Sequence, residues 1–143
     1  MLQELFGIGK AIELIYDEFE NYNAKLIGLR NYFIKQIEEK IDDVKLNGDR
    51  INRLPGNVNF SFTNVDAGEL LLNLDAEGIC ASAGSACTSG SVEPSHVLVA
   101  IGLNEEHTKG ALRVTFGRDN YKDDVDFLID NICRYVEKLR EQN

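Results

Sequence analysis

The sequence predicts an α/β (α+β) fold in which a long N-terminal helix, or a helix pair, precedes a small sheet packed with helices. Apolar residues recur at helical spacing from Leu2 to Ile41. After Pro55-Gly56, stretches that alternate apolar and polar side chains are separated by segments with helical spacing. Such alternation of strands and helices is typical of layered α/β or α+β folds.

The length and composition fit one soluble domain. The chain has 143 residues, of which 43% are hydrophobic, enough for one ordinary core. We predict a single small domain over 1–143, in which 1–41 form a helical linker segment and 42–143 form an α/β sandwich that carries a cysteine loop at 82–91. The 24 acidic and 15 basic residues give a net charge of −9, which disfavours nonspecific binding to nucleic acid or to anionic membranes.

Targeting and redox signals are absent from the sequence. No apolar run approaches the roughly 20 residues that span a bilayer, and the N-terminus has no signal-peptide pattern, so we expect a cytoplasmic protein. The chain has 3 cysteines, an odd number without close pairs. We therefore expect neither a disulfide framework nor a metal site, and at least one free thiol.

The N-terminal apolar stripe slips by one position near Asn21 to Asn23. This slip is compatible with two helices or with one long helix that bends there. In either case the stripe needs a partner surface, because an exposed apolar face is costly in water.

Three elements are predicted between the N-terminal helical segment and Ile79. A short strand at Val44 to Leu46 is stopped by the turn dipeptide Asn47-Gly48. A half-buried strand follows at Asn57 to Thr63. Asp66 and Glu69 resemble a capping box, which opens a helix that runs through Leu70, Leu71 and Leu74 and ends at Gly78.

Two short elements flank a loop of small residues. Ile79 to Ala81 is predicted to be a very short strand. Pro94 suits the first turn of the next helix, which stops at Gly102. The apolar side chains of that helix are expected to face inward: Val97, Leu98 and Ile101.

The last two elements are a strand and a long helix. In the strand, Arg113 lies on the face opposite its apolar neighbours Leu112 and Val114, and Phe116 continues the apolar alternation. A helix from Tyr121 to Arg140 has an inner stripe that consists of Val125, Leu128, Ile132, Val136 and Leu139.

Cys87 is the best candidate for a reactive atom. It lies in the run ASAGSACTSGSVEPSHVL, where the residues next to it in sequence are too small to be expected to cover its thiol. An ordinary cysteine with a pKa of about 8.5 is only about 3% thiolate at pH 7, so a nucleophilic Cys87 needs assistance. The sequence leaves open which group assists among His96, His107, Lys109 and Arg113, and an incidental exposed thiol is the alternative.

The other two cysteines and both histidines have simpler interpretations. Cys80, inside the predicted short strand, and Cys133, beside the inner stripe of the last helix, are expected to be small buried hydrophobes. His96 falls in the helix after Pro94, and His107 is expected in a charged turn. Surface or packing roles are the ordinary expectation for both.

Arg113 differs from the other basic residues because it lies within a predicted apolar strand. A guanidinium within an apolar strand is retained when it is paired or faces a cleft. Arginine suits a bidentate grip on a carboxylate, whereas a structural ion pair with an acidic residue is the alternative.

These residues resemble the C-terminal part of the pyridoxal-phosphate-dependent cysteine desulfurases of the NifS/IscS type, within the class V aminotransferase family. The segments that carry the resemblance are GIGKAIEL at Gly7 to Leu14, RLPGNVNFSF at Arg53 to Phe62, GSACTSGSVEPSHVL at Gly84 to Leu98, and ALRVTFGR at Ala111 to Arg118. The GSAC segment followed by EPSHVL is the most specific. It is similar to the subgroup that has a long mobile cysteine loop.

The resemblance implies a fold and a reaction. The fold is the C-terminal small domain of a fold-type I pyridoxal-phosphate-dependent transferase. Cys87 matches the catalytic cysteine, which takes sulfur from L-cysteine as a persulfide while L-alanine is released, and Arg113 matches the arginine that binds the substrate α-carboxylate. The partners implied are a sulfur-acceptor or scaffold protein and a second subunit of a homodimer, with the sulfur serving iron–sulfur cluster or thio-cofactor synthesis.

The resemblance also implies a missing part. In the family, the Schiff-base lysine and most cofactor ligands lie in an upstream large domain, so we assign no cofactor-binding residue here and expect no pyridoxal phosphate on this chain alone. We expect the isolated chain to be inactive. A non-enzymatic persulfide carrier or docking module is the alternative, and a thiol redox protein is disfavoured because no C-x-x-C pair exists.

Overall fold

A computed structural model of the chain describes residues 2–83 and 95–142, with side chains from residue 4. The elements in chain order are α1 Leu2–Lys40, β1 Val44–Leu46, β2 Asn57–Phe62, α2 Ala67–Ala76, β3 Ser82–Ala83, α3 His96–Ala100, α4 Glu105–Lys109, β4 Ala111–Thr115 and α5 Lys122–Glu141. The small sheet packed with helices confirms the predicted α/β (α+β) class.

The four strands form one antiparallel sheet in the order β1-β2-β4-β3. Phe60 of β2 pairs with Leu112 of β4, and Ser82 of β3 pairs with Arg113. The prediction of a strand at Ile79 to Ala81 was wrong. The backbone N–H of Ile79 donates to Leu74 O at 3.0 Å, so this stretch completes the end of α2 before β3 can begin.

One face of the sheet carries the core. Val58, Phe60 and Phe62 of β2 and Leu112 and Val114 of β4 are buried on this face. The helices α1, α2 and α5 contribute to the same hydrophobic cluster, their most buried members being Phe33, Ile37, Leu70, Leu74, Val125 and Ile132. The opposite face carries the polar residues of the same strands, because side chains alternate along a strand.

The N-terminal stripe belongs to one continuous helix, α1, rather than to two helices. Its second half is in the core, where Leu26, Phe33, Ile37 and Ile41 are buried. From Leu5 to Phe19 the predicted stripe is bare, and each of its side chains keeps at least 55% of its surface accessible. Neither α1 nor any other helix of the described residues is long and apolar enough to cross a membrane.

The contact between α1 and the rest of the domain begins at its middle. Arg118 pairs with Glu18 at 2.6 Å and lies over the ring of Tyr22. Lys25 donates to Arg118 O at 2.5 Å. The predicted division between 1–41 and 42–143 stays a prediction, although residues from Leu26 onward share one core with the sheet.

The bare stripe of α1 predicts weak self-association. Burying exposed apolar side chains against a second copy is favourable, whereas the net charge of −9 opposes it. We expect light scattering to show a mass that falls toward the monomer on dilution, and Ile12→Glu to weaken the association about tenfold. Ile51→Glu, at an exposed position outside α1, is the control, and a mass independent of concentration would contradict the prediction.

Two predicted helices are confirmed. The Asp66 carboxylate caps α2 by accepting from the backbone N–H groups of Gly68 and Glu69 at 2.8 and 3.2 Å. The helix α5 differs from its predicted bounds by one residue at each end, and all members of its predicted inner stripe are buried. The Asp124 carboxylate accepts from the Tyr121 N–H at 2.8 Å, which fixes its beginning.

The segment between β3 and β4 differs more from expectation. In α3 only Leu98 is buried; Val97 and Ile101 are 53% and 52% exposed, so their predicted inward orientation was wrong. A five-residue helix presents a single residue to the small cluster that Leu98 forms with Leu103 and Ala111. The short α4 replaces the predicted charged turn.

Candidate functional site

Arg113 lies in the middle of β4, on the face of the sheet opposite the core. Its neighbours Leu112 and Val114 are buried in the main hydrophobic cluster, whereas Arg113 is half-buried, as the alternation predicted. The Arg113 Nη2 donates to Ser82 Oγ at 3.1 Å across the β3–β4 pair. The guanidinium is therefore held at the β3 side of the sheet.

Within the part of the chain that the structure describes, no ion pair includes Arg113. Other arginines behave differently: Arg118 pairs with Glu18 at 2.6 Å and Arg134 with Glu77 at 2.7 Å. The hydroxyl of Ser82 is a neutral acceptor, so it does not cancel the positive charge. The structural ion pair considered as the alternative has no counterpart among these residues.

Two residues that sequence patterns did not single out flank Arg113. Asn59 of β2 and Ser82 of β3 are its cross-strand partners, one on each side. The Asn59 Oδ1 accepts from the Nδ2 of buried Asn47 at 2.6 Å, and the same Nδ2 donates to Ser61 Oγ at 2.8 Å. Only the register of strand pairing brings these residues together, and no local signal in the sequence encodes that register.

Cys87 lies outside the described residues, as do Pro94 and most of the predicted loop 82–91. Both flanks of its segment are described, and both contact β4. On the N-terminal side, Ser82 and Ala83 pair with Arg113 and Leu112. On the C-terminal side, Leu98 belongs to one small hydrophobic cluster with Leu103 and Ala111, and Ala111 lies two residues before Arg113 on the same face of β4.

The other two thiols differ from each other. Cys80 is exposed, so the expectation of a buried hydrophobe was wrong; it lies between the end of α2 and β3, where no strand turns it inward. Cys133 packs against the core from α5, and burial raises the pKa of its thiol. It lines a surface cavity of about 400 Å³ between α1 and α5, on the helical side of the sheet.

The candidate assistants of Cys87 have described surroundings. His107 lies in α4, where its Nδ1 is 2.6 Å from Asn104 Oδ1, and Lys109 pairs with Asp66 at 3.5 Å. His96 is exposed at the first residue of α3. Of the four candidates, Arg113 is the one whose strand contacts both flanks of the Cys87 segment.

The described residues do not fit pyridoxal phosphate as a complete site. A Schiff-base lysine must be sheltered from water and directed into a cavity. Lys25 is half-buried but donates to a backbone carbonyl, and Lys40, at the rim of the surface cavity, pairs with Asp130. The remaining lysines are all exposed: Lys10, Lys35, Lys45, Lys109, Lys122 and Lys138. The described residues also contain no cluster of potential metal ligands.

A family model described as aminotransferase class-V matches residues 1–128. The chain therefore belongs to the class V aminotransferase family.

The curated relatives that match the chain are cysteine desulfurases. The chain is 48% identical over 136 residues to the cysteine desulfurase IscS of Dictyoglomus turgidum, and 45% identical over 141 residues to that of Clostridium botulinum. These matches cover 95% and 97% of the chain but only 34% and 36% of the relatives. The chain thus spans about a third of the length of these curated relatives.

Solved structures of NifS-like proteins have a similar fold. The NifS-like protein from Rickettsia africae superimposes with a TM-score of 0.78 at 26% identity, covering 92% of this chain and 33% of that chain. A second NifS-like protein superimposes with a TM-score of 0.76 at 21% identity, which supports the fold alone. The resemblance to the NifS/IscS type is confirmed by both comparisons.

Proposed function

We propose that this chain supplies the sulfur-accepting thiol and the carboxylate-binding arginine of a cysteine desulfurase. Cys87 accepts the sulfur of L-cysteine as a persulfide, and Arg113 binds the substrate α-carboxylate. The observation that carries the proposal is the position of Arg113: its charge meets no carboxylate among the described side chains, and its strand contacts both flanks of the Cys87 segment.

The proposed reaction balances without an external oxidant. The Cβ–S bond of L-cysteine breaks, an S–S bond forms between that sulfur and the Sγ of Cys87, and the carbon product with its added proton is L-alanine. The transferred sulfur is oxidised relative to a thiol, and Cβ is reduced. The family's pyridoxal phosphate would supply the electron sink for Cβ, and the described residues supply no lysine to hold it.

The role of Arg113 follows from its geometry. A planar guanidinium with five N–H donors can grip both oxygens of a carboxylate. The Ser82 hydroxyl accepts from Nη2, and within residues 2–83 and 95–142 it is the hydrogen-bond partner found for the guanidinium. A carboxylate bound there would orient L-cysteine with respect to the segment that follows β3.

The second candidate function is a persulfide carrier or docking module that receives sulfur from another protein. The absence of a fitting lysine among the described residues favours this alternative for the chain acting alone. In either function we propose a sulfur-acceptor or scaffold protein as the recipient and the cytoplasm as the location. The net charge of −9 favours a recipient with a basic surface.

Sulfur transfer to the chain can be tested directly. We expect treatment of the purified protein with glutathione persulfide to add about 32 Da, one sulfur atom, at Cys87 in peptide mass spectra. Addition at Cys80 or Cys133 in preference to Cys87 would contradict the proposal. The mass gain should be reversed by dithiothreitol, as expected of a persulfide.

The enzyme and carrier functions differ in a second measurement. We expect the chain mixed with pyridoxal phosphate and L-cysteine to release no alanine above the level of free pyridoxal phosphate, because no described lysine fits the cofactor. Catalytic release of alanine that depends on Cys87 would show that the chain is a complete enzyme. The amino acid product would be measured by chromatography.

A further inference from the structure

We propose that Ser82 is a positioning residue that holds the Arg113 guanidinium ready for a substrate carboxylate. The inference rests on the proposed function, because the proposed function assigns carboxylate binding to Arg113. The hydrogen bond from Arg113 Nη2 to Ser82 Oγ, at 3.1 Å, joins the two side chains across paired strands.

A free arginine side chain samples many rotamers, and binding must immobilise it. Ser82 restricts this freedom before the ligand arrives. The serine side chain is short, and β3 is paired with β4 in a fixed register. The position of the accepting Ser82 hydroxyl is therefore well defined. Less entropy is then lost when a carboxylate binds, which is the usual advantage of preorganisation.

The chemical type of the acceptor also matters. A carboxylate at position 82 would grip the guanidinium more strongly, but it would neutralise the charge and compete with the substrate. A hydroxyl fixes one N–H and leaves the charge intact. Ser82 therefore combines orientation with an unneutralised cation, which a structural ion pair would not do.

The place of Ser82 in the chain gives it a second connection to the site. It lies in β3, directly before the segment that contains Cys87. Loss of the Ser82 hydroxyl should leave the β3–β4 backbone pairing intact, since that pairing uses main-chain groups. The effect of a Ser82 substitution should thus reach Arg113 without unfolding the sheet.

The test uses nuclear magnetic resonance of the whole chain with ¹⁵N-labelled arginine. The Arg113 Nε–H signal is assigned by its loss in Arg113→Gln. L-alanine serves as the carboxylate probe, and L-alaninamide, which lacks the carboxylate, is its control. We expect L-alanine to shift the Arg113 signal in a saturable way and L-alaninamide to leave it unchanged.

Three variants separate orientation from charge. We expect Ser82→Ala to weaken L-alanine binding about threefold and to increase the mobility of the Arg113 Nε–H, as the loss of one hydrogen bond requires. Ser82→Thr, which keeps a hydroxyl, should restore both properties. Ser82→Asp should weaken binding about tenfold while making Arg113 more rigid, because its carboxylate occupies the fork. Thr115→Ala, an exposed position on the same face of β4, is the matched control and should behave as wild type.

The outcomes distinguish this inference from the proposed function. Suppose that Arg113→Gln abolishes binding, whereas Ser82→Ala binds L-alanine like wild type and has an equally ordered Arg113. The positioning role of Ser82 is then refuted, and the carboxylate-binding role of Arg113 is retained. If Arg113→Gln binds L-alanine as well as wild type, the carboxylate-binding role of Arg113 fails. Unchanged backbone amide signals of Leu112 and Val114 in each variant exclude loss of the fold as the cause.

Discussion

Replacing Cys87 by serine is expected to remove all persulfide formation at the proposed site. A hydroxyl is not ionised near pH 7 and is a poor nucleophile toward sulfane sulfur, so the effect should be loss of the whole signal rather than a partial decrease. The measurement is the fraction of protein that gains one sulfur after exposure to glutathione persulfide, read by mass spectrometry of the intact chain.

The two remaining cysteines provide matched controls for this prediction. Cys80→Ser removes an exposed thiol and Cys133→Ser a half-buried one whose pKa is raised by burial. We expect both variants to keep the full mass gain. If Cys80→Ser abolishes the gain while Cys87→Ser retains it, the accepting thiol has been assigned to the wrong cysteine.

Gly110→Ala should be the most destabilising methyl-sized substitution among the described glycines. A Cβ at Gly110 would lie 2.1 Å from Phe62 O and 3.1 Å from Val65 O, both backbone atoms that cannot rotate away. The Gly110 carbonyl also accepts from the Phe62 N–H at 3.0 Å, so a shift of either backbone segment strains this hydrogen bond. We expect the free energy of unfolding to fall by at least about 3 kcal/mol.

Gly28→Ala is the matched control for the same chemical change. Gly28 lies within α1, and a Cβ added there would have no described atom within 4 Å beyond the neighbouring backbone of its own helix. Alanine in a helix interior is favoured over glycine by about 0.5–1 kcal/mol, so this variant should be slightly more stable. Urea unfolding followed by circular dichroism measures both variants. Equal stabilities of the Gly110→Ala variant and the wild type would show that the two backbone segments can separate at little cost.

The local periodicities of the chain predicted most of the elements on which the site depends. Alternation in β4 placed Arg113 opposite Leu112 and Val114, and the helical stripe of α5 is buried as expected. Both predictions succeeded because each element buries one face, and the spacing of apolar residues records which face that is.

The predictions that failed involve short segments with few residues in the core. The stretch from Ile79 to Ala81 has an apolar composition that suits a strand, but the end of α2 uses the Ile79 N–H. Val97 and Ile101 have apolar side chains, yet α3 is too short to bury them. Burial of a short segment depends on what the rest of the fold places beside it, and its own pattern contains too few residues to decide.

The sequence by itself determined the class of fold and the face on which Arg113 lies, because these follow from local spacing, and it named Cys87 as a candidate from side-chain chemistry. The tertiary structure alone decided that Ser82 and Asn59 flank Arg113, that Cys80 is exposed, and that only the second half of α1 is buried. These features depend on contacts between residues far apart in the chain. Strand register and helix docking set such contacts, and neither is encoded in any one segment.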